Sequence, residues 1–112
     1  MKRVFICSPF RGGPAQRRLH DAWLRLLCAQ ALAQGHAPFA PHGFYPGLLD
    51  DADPEQRAAG ILAGMAWLEA CDEVWALRAP VTEGMRAEIR RAEELCLPVF
   101  YWDVGTLEAS AL

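Results

Sequence analysis

A carboxylate at position 88, inside the stretch TEGMRAEIRRA at 82–92, is the residue of this sequence whose surroundings most invite a chemical reading. Glu88 follows Met85 by three residues and precedes Ile89, so on a helix it falls at the border of the apolar face. It is either a reactive group aimed into a site or a boundary glutamate paired with Arg86 or Arg91. Such pairs are worth only about 0.2–0.5 kcal/mol. On the residues alone the boundary glutamate is the default. Thr82 precedes the helix and can cap it, Glu83 suits the positive end of the dipole, and Gly84 lets a ligand lie against the backbone.

A second group is Arg11-Gly12-Gly13, a cation and two permissive residues just ahead of Pro14. Backbone N–H groups at a helix start can approach an anion closely. The same residues also suit a turn that merely needs a positive φ. The segment is not a P-loop, because no G-x-x-x-x-G-K-[ST] run occurs. His42 is open to three readings: general acid, ligand contact or exposed loop residue. Phe44 and Tyr45 either stack on a flat ligand or pack their loop down. His20, His36 and His42 show no metal-ligand spacing with one another or with the cysteines, and Asp50, Asp51, Asp53 and Glu55 lack the glycine and spacing of an EF-hand. Neither a metal nor a cofactor is expected. Asp53 before Pro54 reads as a helix cap.

These groups need elements to hold them. Val4–Cys7 is a continuous β-prone run ended by Ser8-Pro9, as expected of a strand covered on both faces. A helix should run from Pro14 to Gln34, with Leu19, Ala22, Trp23, Leu26, Leu27 and Ala33 on its apolar side and Gly35 closing it. Ala37–Ala40 is a short second strand. Pro41–Pro54, rich in Pro, Gly and Asp, reads as a long loop. The next helix should face inward through Ala58, Ile61, Leu62, Met65 and Leu68. Glu73–Leu77 is a third strand, 83–96 a helix with Met85, Ile89, Ala92 and Cys96 inward, and Val99–Trp102 a fourth strand. From Gly105 a short helical or frayed end is expected.

Strands alternating with helices imply a parallel sheet of four to five strands covered on both sides, a three-layer, doubly wound α/β fold. With strand order 2-1-3-4 the chain reverses across the sheet between strands one and three, and a crevice opens there at the carboxyl ends. Three loops would line it: Ser8, Pro9, Phe10, Arg11, Gly12 and Gly13 after strand one, His42 after strand two, and Thr82, Gly84 and Met85 after strand three. Glu88 lies one turn into the helix that starts at this crevice.

Composition limits what such a crevice serves. The 112 residues, 53% hydrophobic and 22% charged, fit one globular domain. A net charge of −3 offers no broad positive field for a nucleic-acid polymer. Cys7, Cys28, Cys71 and Cys96 form no C-x-x-C pair, which points to a reduced, cytoplasmic compartment. VFIC is too short for a signal-peptide core, and no stretch reaches the length of a membrane span.

The frame VFICSPFRGG, HAPFAPH, CDEVWAL and TEGMRAEI resembles the nucleoside 2-deoxyribosyltransferase superfamily, from strand one to about Tyr101. It is most similar to the small uncharacterised bacterial and phage branch, related to 2′-deoxynucleoside 5′-phosphate N-hydrolases. The resemblance implies a flavodoxin-like fold, a homodimer or larger homo-oligomer, and a nucleoside or nucleotide as small-molecule partner. It also implies that Glu88 is the nucleophile that attacks C1′ of the sugar, giving a covalent intermediate taken by a base or by water, the logic of retaining glycosidases. By position, phosphate would lie on Arg11, Gly12, Gly13, Thr82 and Gly84. The chain departs from the pattern twice. Phe5 stands where active relatives have a tyrosine, and Gly64, eight residues before Asp72, stands where they have an aspartate for the leaving base. A non-catalytic nucleotide-binding or sensing module with the same pocket is therefore the alternative.

Overall fold

The computed structural model describes residues 1–78 and 81–110. Ala79 and Pro80, within the expected loop after the third strand, lie outside the described residues, as do Ala111 and Leu112. Four parallel strands, β1 (Arg3–Cys7), β2 (Ala37–Phe39), β3 (Glu73–Leu77) and β4 (Val99–Trp102), form one sheet in the order β2-β1-β3-β4. Val4 pairs with Pro38 on one side and Glu73 on the other, and Cys7 with Ala76. The expected order, and with it the flavodoxin-like α/β arrangement, is what the chain adopts.

Side chains alternate across the pleat, so β1 feeds two cores. Val4 and Ile6 pack with Trp75 and Leu77 of β3 beneath helices α1 (Pro14–Ala33) and α5 (Val104–Ser110). Phe5 and Cys7 pack with Val74 and Ala76 beneath helices α3 (Pro54–Glu69) and α4 (Glu83–Glu94). The buried residues of β1 and β3 run without a break, as a strand covered on both faces requires.

Several helix faces differ from expectation. On α1 the buried row is Leu24, Leu27 and Ala31, whereas Leu19, Ala22 and Ala33 are exposed. Leucine and alanine occur on most sides of this helix, so periodicity alone fixes its rotation poorly. On α3 the inward row is Gly60, Gly64 and Leu68, while Ala58, Ile61 and Leu62 point outward. The two glycines decide this. A Cβ at Gly60 would lie 3.2 Å from Leu49 Cδ1 and one at Gly64 3.4 Å from Pro41 Cβ, so the helix rests its backbone on the segment before it. That segment is not a structureless loop from Pro41 to Pro54: it contains a helical turn, α2 (Pro41–Phe44), and a 3-10 turn, Tyr45–Gly47.

Helix ends follow side-chain chemistry. Asp53 Oδ1 accepts from the Glu55 N–H at 3.0 Å and Thr82 Oγ1 from the Met85 N–H at 3.2 Å, the caps expected for α3 and α4. At the end of α1, Gly35 takes φ +80° while His36 N–H reaches the Ala31 carbonyl. The end of α4 has the same bonding, Cys96 N–H to Glu93 O and Leu97 N–H to Ala92 O, with Cys96 at φ 58° in the glycine position. Cys96 is thus exposed beyond the helix rather than inward within it.

Candidate functional site

A cleft of about 360 Å³ opens at the carboxyl ends of the strands, within the range of roughly 300–1,000 Å³ common for small-molecule sites. Its walls come from the chain after β1 (Phe10, Arg11), the 41–51 segment (Pro41, His42, Tyr45, Asp51), α3 (Arg57, Gly60, Gly64, Met65) and the start of α4 (Thr82, Gly84, Glu88). Segments remote in sequence meet here because the strand order reverses between β1 and β3.

Glu88 faces this cleft and is only 8% exposed. It forms no ion pair among the described residues, and its Oε1 is buried without a hydrogen-bond partner. The boundary-glutamate reading fails because Arg91 turns the other way, to Glu94 and Glu69 at 3.1 Å each. Burial raises the Glu88 pKa to about 7, with the neighbouring Cys7 thiol opposing the shift. The thiol is itself pushed well up, first by burial and then by Glu88, so it stays protonated; it donates to the Met85 carbonyl at 3.7 Å. A buried carboxylate without a cation near it favours any positive charge that develops beside it.

At the mouth, Asp51 is shared by two arginines, Arg11 Nε at 3.4 Å and Arg57 Nε at 3.9 Å. Arg11, and Asp51 as a loop carboxyl able to replace the missing aspartate, were legible in the sequence as candidates; Arg57 was not, since the pairing of the three spans separate segments and no local spacing announces it. His42 lines the cleft with its ring 5.3 Å from that of Phe10, edge to face, and Arg17 lies 5.2 Å over Phe10. Burial, followed by opposing effects of Asp51 and His20, brings the His42 pKa down to about 4, so at neutral pH the ring is uncharged. Tyr45 packs against Phe39 and Phe44 and accepts from Trp67 Nε1 at 2.9 Å while lining the cleft; Phe44 is exposed.

Other candidates sit beside the cleft rather than on it. Ser8 is fully buried with an unpartnered Oγ, Pro9 is buried, and Met85 is fully buried in the core below α4. Gly12 and Gly13 are exposed and have a local role. Gly12 has φ +145°, and Gln16 Oε1 accepts the Gly13 N–H at 2.9 Å. A Cβ at Gly12 would come within 2.5 Å of that same oxygen, so the glycine pair serves the start of α1. Of the two departures, Phe5 is sealed in the core and Gly64 forms part of the cleft wall. Among the described residues no cluster of three metal-ligating side chains occurs, and no helix is long and apolar enough to cross a membrane.

Among solved structures, the chain is similar to a 2-deoxyribosyltransferase from the psychrotolerant bacterium Bacillus psychrosaccharolyticus. The TM-score is 0.68 at 16% identity, over 90% of this chain and 72% of that one, which shows a shared fold. No curated protein sequence matches the chain. Residues 2–102 match the family described as Domain of unknown function (DUF7768), and the chain belongs to that family.

Proposed function

We propose that this protein cleaves or transfers across the N-glycosidic bond of deoxynucleosides or their 5′-monophosphates, with Glu88 as the catalytic nucleophile. The observation that carries the reading is the buried Glu88 carboxylate, one oxygen of which has no hydrogen-bond partner, facing a cleft of ligand size. In an oxocarbenium-like transition state the positive charge at C1′ supplies the cation that Glu88 lacks in the resting protein. The shared fold with a 2-deoxyribosyltransferase supports the sugar class. A 5′-phosphate would meet Arg11 and Arg57 at the mouth, displacing part of their hold on Asp51, rather than the Gly12-Gly13 turn, whose Gly13 N–H is already bonded. Thr82 and Gly84 would flank the sugar. The exposed apolar face of α3 would be covered in a homo-oligomer.

The second reading, a nucleotide-binding module without catalysis, is favoured by Gly64, which leaves the wall of the cleft without the expected carboxyl. One assay distinguishes the two. The protein is incubated with deoxynucleosides and 5′-monophosphates, N-alkylated members included, and free base is measured by chromatography beside Glu88→Ala. Base release that the substitution abolishes supports catalysis. Saturable binding without release supports the module, and the absence of both release and binding would count against the cleft as a nucleotide site.

A further inference from the structure

The inference below rests on the catalytic reading of Glu88 and concerns the substrate class of that same cleft. A neutral purine or pyrimidine leaves a sugar as a poor anion unless a group protonates it, and such general acids are worth about 10²–10⁴-fold in rate. Among the described residues around the cleft, no second carboxyl is both buried and unpaired. Asp51 is shared between Arg11 and Arg57, and Glu83 lies on the exposed rim. His42 carries no proton to give as an imidazolium at neutral pH. The wall formed by Pro41, Gly60, Gly64 and Met65 is apolar. Glu88, meanwhile, lies buried with an unpartnered oxygen, and the positive side chains at the mouth are tied to Asp51.

We infer that the cleft is built for N-glycosides whose base already carries a positive charge, such as N-alkylated purine nucleosides, because their departure needs no proton from the protein. The ring of such a substrate would lie among Phe10, His42 and Tyr45, since the faces of aromatic rings attract a flat cation. In the first step a Glu88 carboxylate oxygen forms a bond to C1′ while the C1′–N bond breaks. The bonding pair returns to the ring nitrogen, the positive charge of the base is discharged, and the base leaves neutral. Water then adds at C1′ of the glycosyl ester, its proton passes to solvent, and the Glu88 carboxylate is restored with the free sugar.

The test compares 7-methyl-2′-deoxyguanosine with 2′-deoxyguanosine, which differ by one methyl group and one charge. Base release by the native protein is divided by release in a protein-free blank, since the methylated compound also decays unaided, and Glu88→Gln is run in parallel. The expected result is an acceleration at least about 100-fold larger for the methylated nucleoside, at the low end of what a general acid contributes, and lost in Glu88→Gln. Equal or greater acceleration of the neutral nucleoside would overturn the charge preference while leaving Glu88 catalysis standing. Acceleration of neither, whether supplied as the nucleosides or as their 5′-monophosphates, would overturn both, and the two failures are thereby told apart. The comparison with the blank holds whether or not the Glu88 variant folds.

Discussion

At the scale of single residues, two side chains in one cleft carry opposite proton linkages. Glu88 has a folded pKa of about 7 against an ordinary value of 4.5, so folding takes up a proton within that window. Its contribution to stability is fully present below about pH 4.5 and is lost as pH climbs through 7. At about 1.4 kcal/mol per pH unit the loss is on the order of 3 kcal/mol. His42, brought from 6.5 down to about 4, behaves oppositely: the unfolded chain binds its proton first, so stability falls as pH drops through that window. The windows overlap, and in the native protein the two slopes largely cancel. Urea melts between pH 4 and 8 should therefore separate them. Relative to the native protein, Glu88→Gln should gain stability toward pH 8, by up to about 3 kcal/mol, and His42→Asn should gain toward pH 4. A Glu88→Gln difference that stays constant across the range would mean that the carboxylate is solvated.

At the scale of elements, the caps were legible because they are local chemistry. Asp53 and Thr82 each accept from an N–H two or three residues on, and Gly35 takes the left-handed position its lack of a Cβ permits. The end of α4 shows where local reading goes wrong. The run LCLP contains no glycine to mark an end, so the pattern predicts a helix through Cys96, yet the backbone makes the same two closing bonds as at Gly35 with a cysteine held at φ 58°. Cys96→Gly should relieve that conformation and stabilise the protein by about 1 kcal/mol, measured as a shift in the urea midpoint with an unchanged slope. The side chain is exposed, so little packing is lost to offset the gain. The rotation of α3 was likewise hidden: Ile61 and Leu62 suggest an inward face beside Met65, but the close packing of the glycines turns them outward while Met65 stays against the core.

At the scale of the whole molecule, the consequence of that rotation is an apolar surface. Leu62 is 71% exposed, Ile61, on the rim of the cleft, 49%, and Trp67 48%. Large apolar side chains exposed together on one element commonly mark contact surfaces. If α3 meets a second copy in the proposed homo-oligomer, sedimentation should show an assembly that Leu62→Glu dissociates, whereas Leu32→Glu, a comparably exposed leucine on α1, should leave it intact. A native protein that sediments as a monomer at tens of micromolar, on the order used for weak dimers, would rule this surface out. Trp23, the other tryptophan that could have served, is half-buried against the α1 core.

The sequence by itself determined the strands and their alternation with helices, through short-range signals: β-prone runs, caps and turn residues. Given the strand order 2-1-3-4, it implied the crevice the strands leave. It also brought Glu88 to the mouth of that crevice. Only the tertiary structure decided that the carboxylate is buried and unpaired, that Arg57 joins Arg11 on Asp51, and that the glycine pair serves α1. The physical reason is that burial and ion pairing are set by partners far apart in the chain, as Arg11 and Asp51 are by 40 residues, and no local pattern encodes which of several arginines a carboxylate will face.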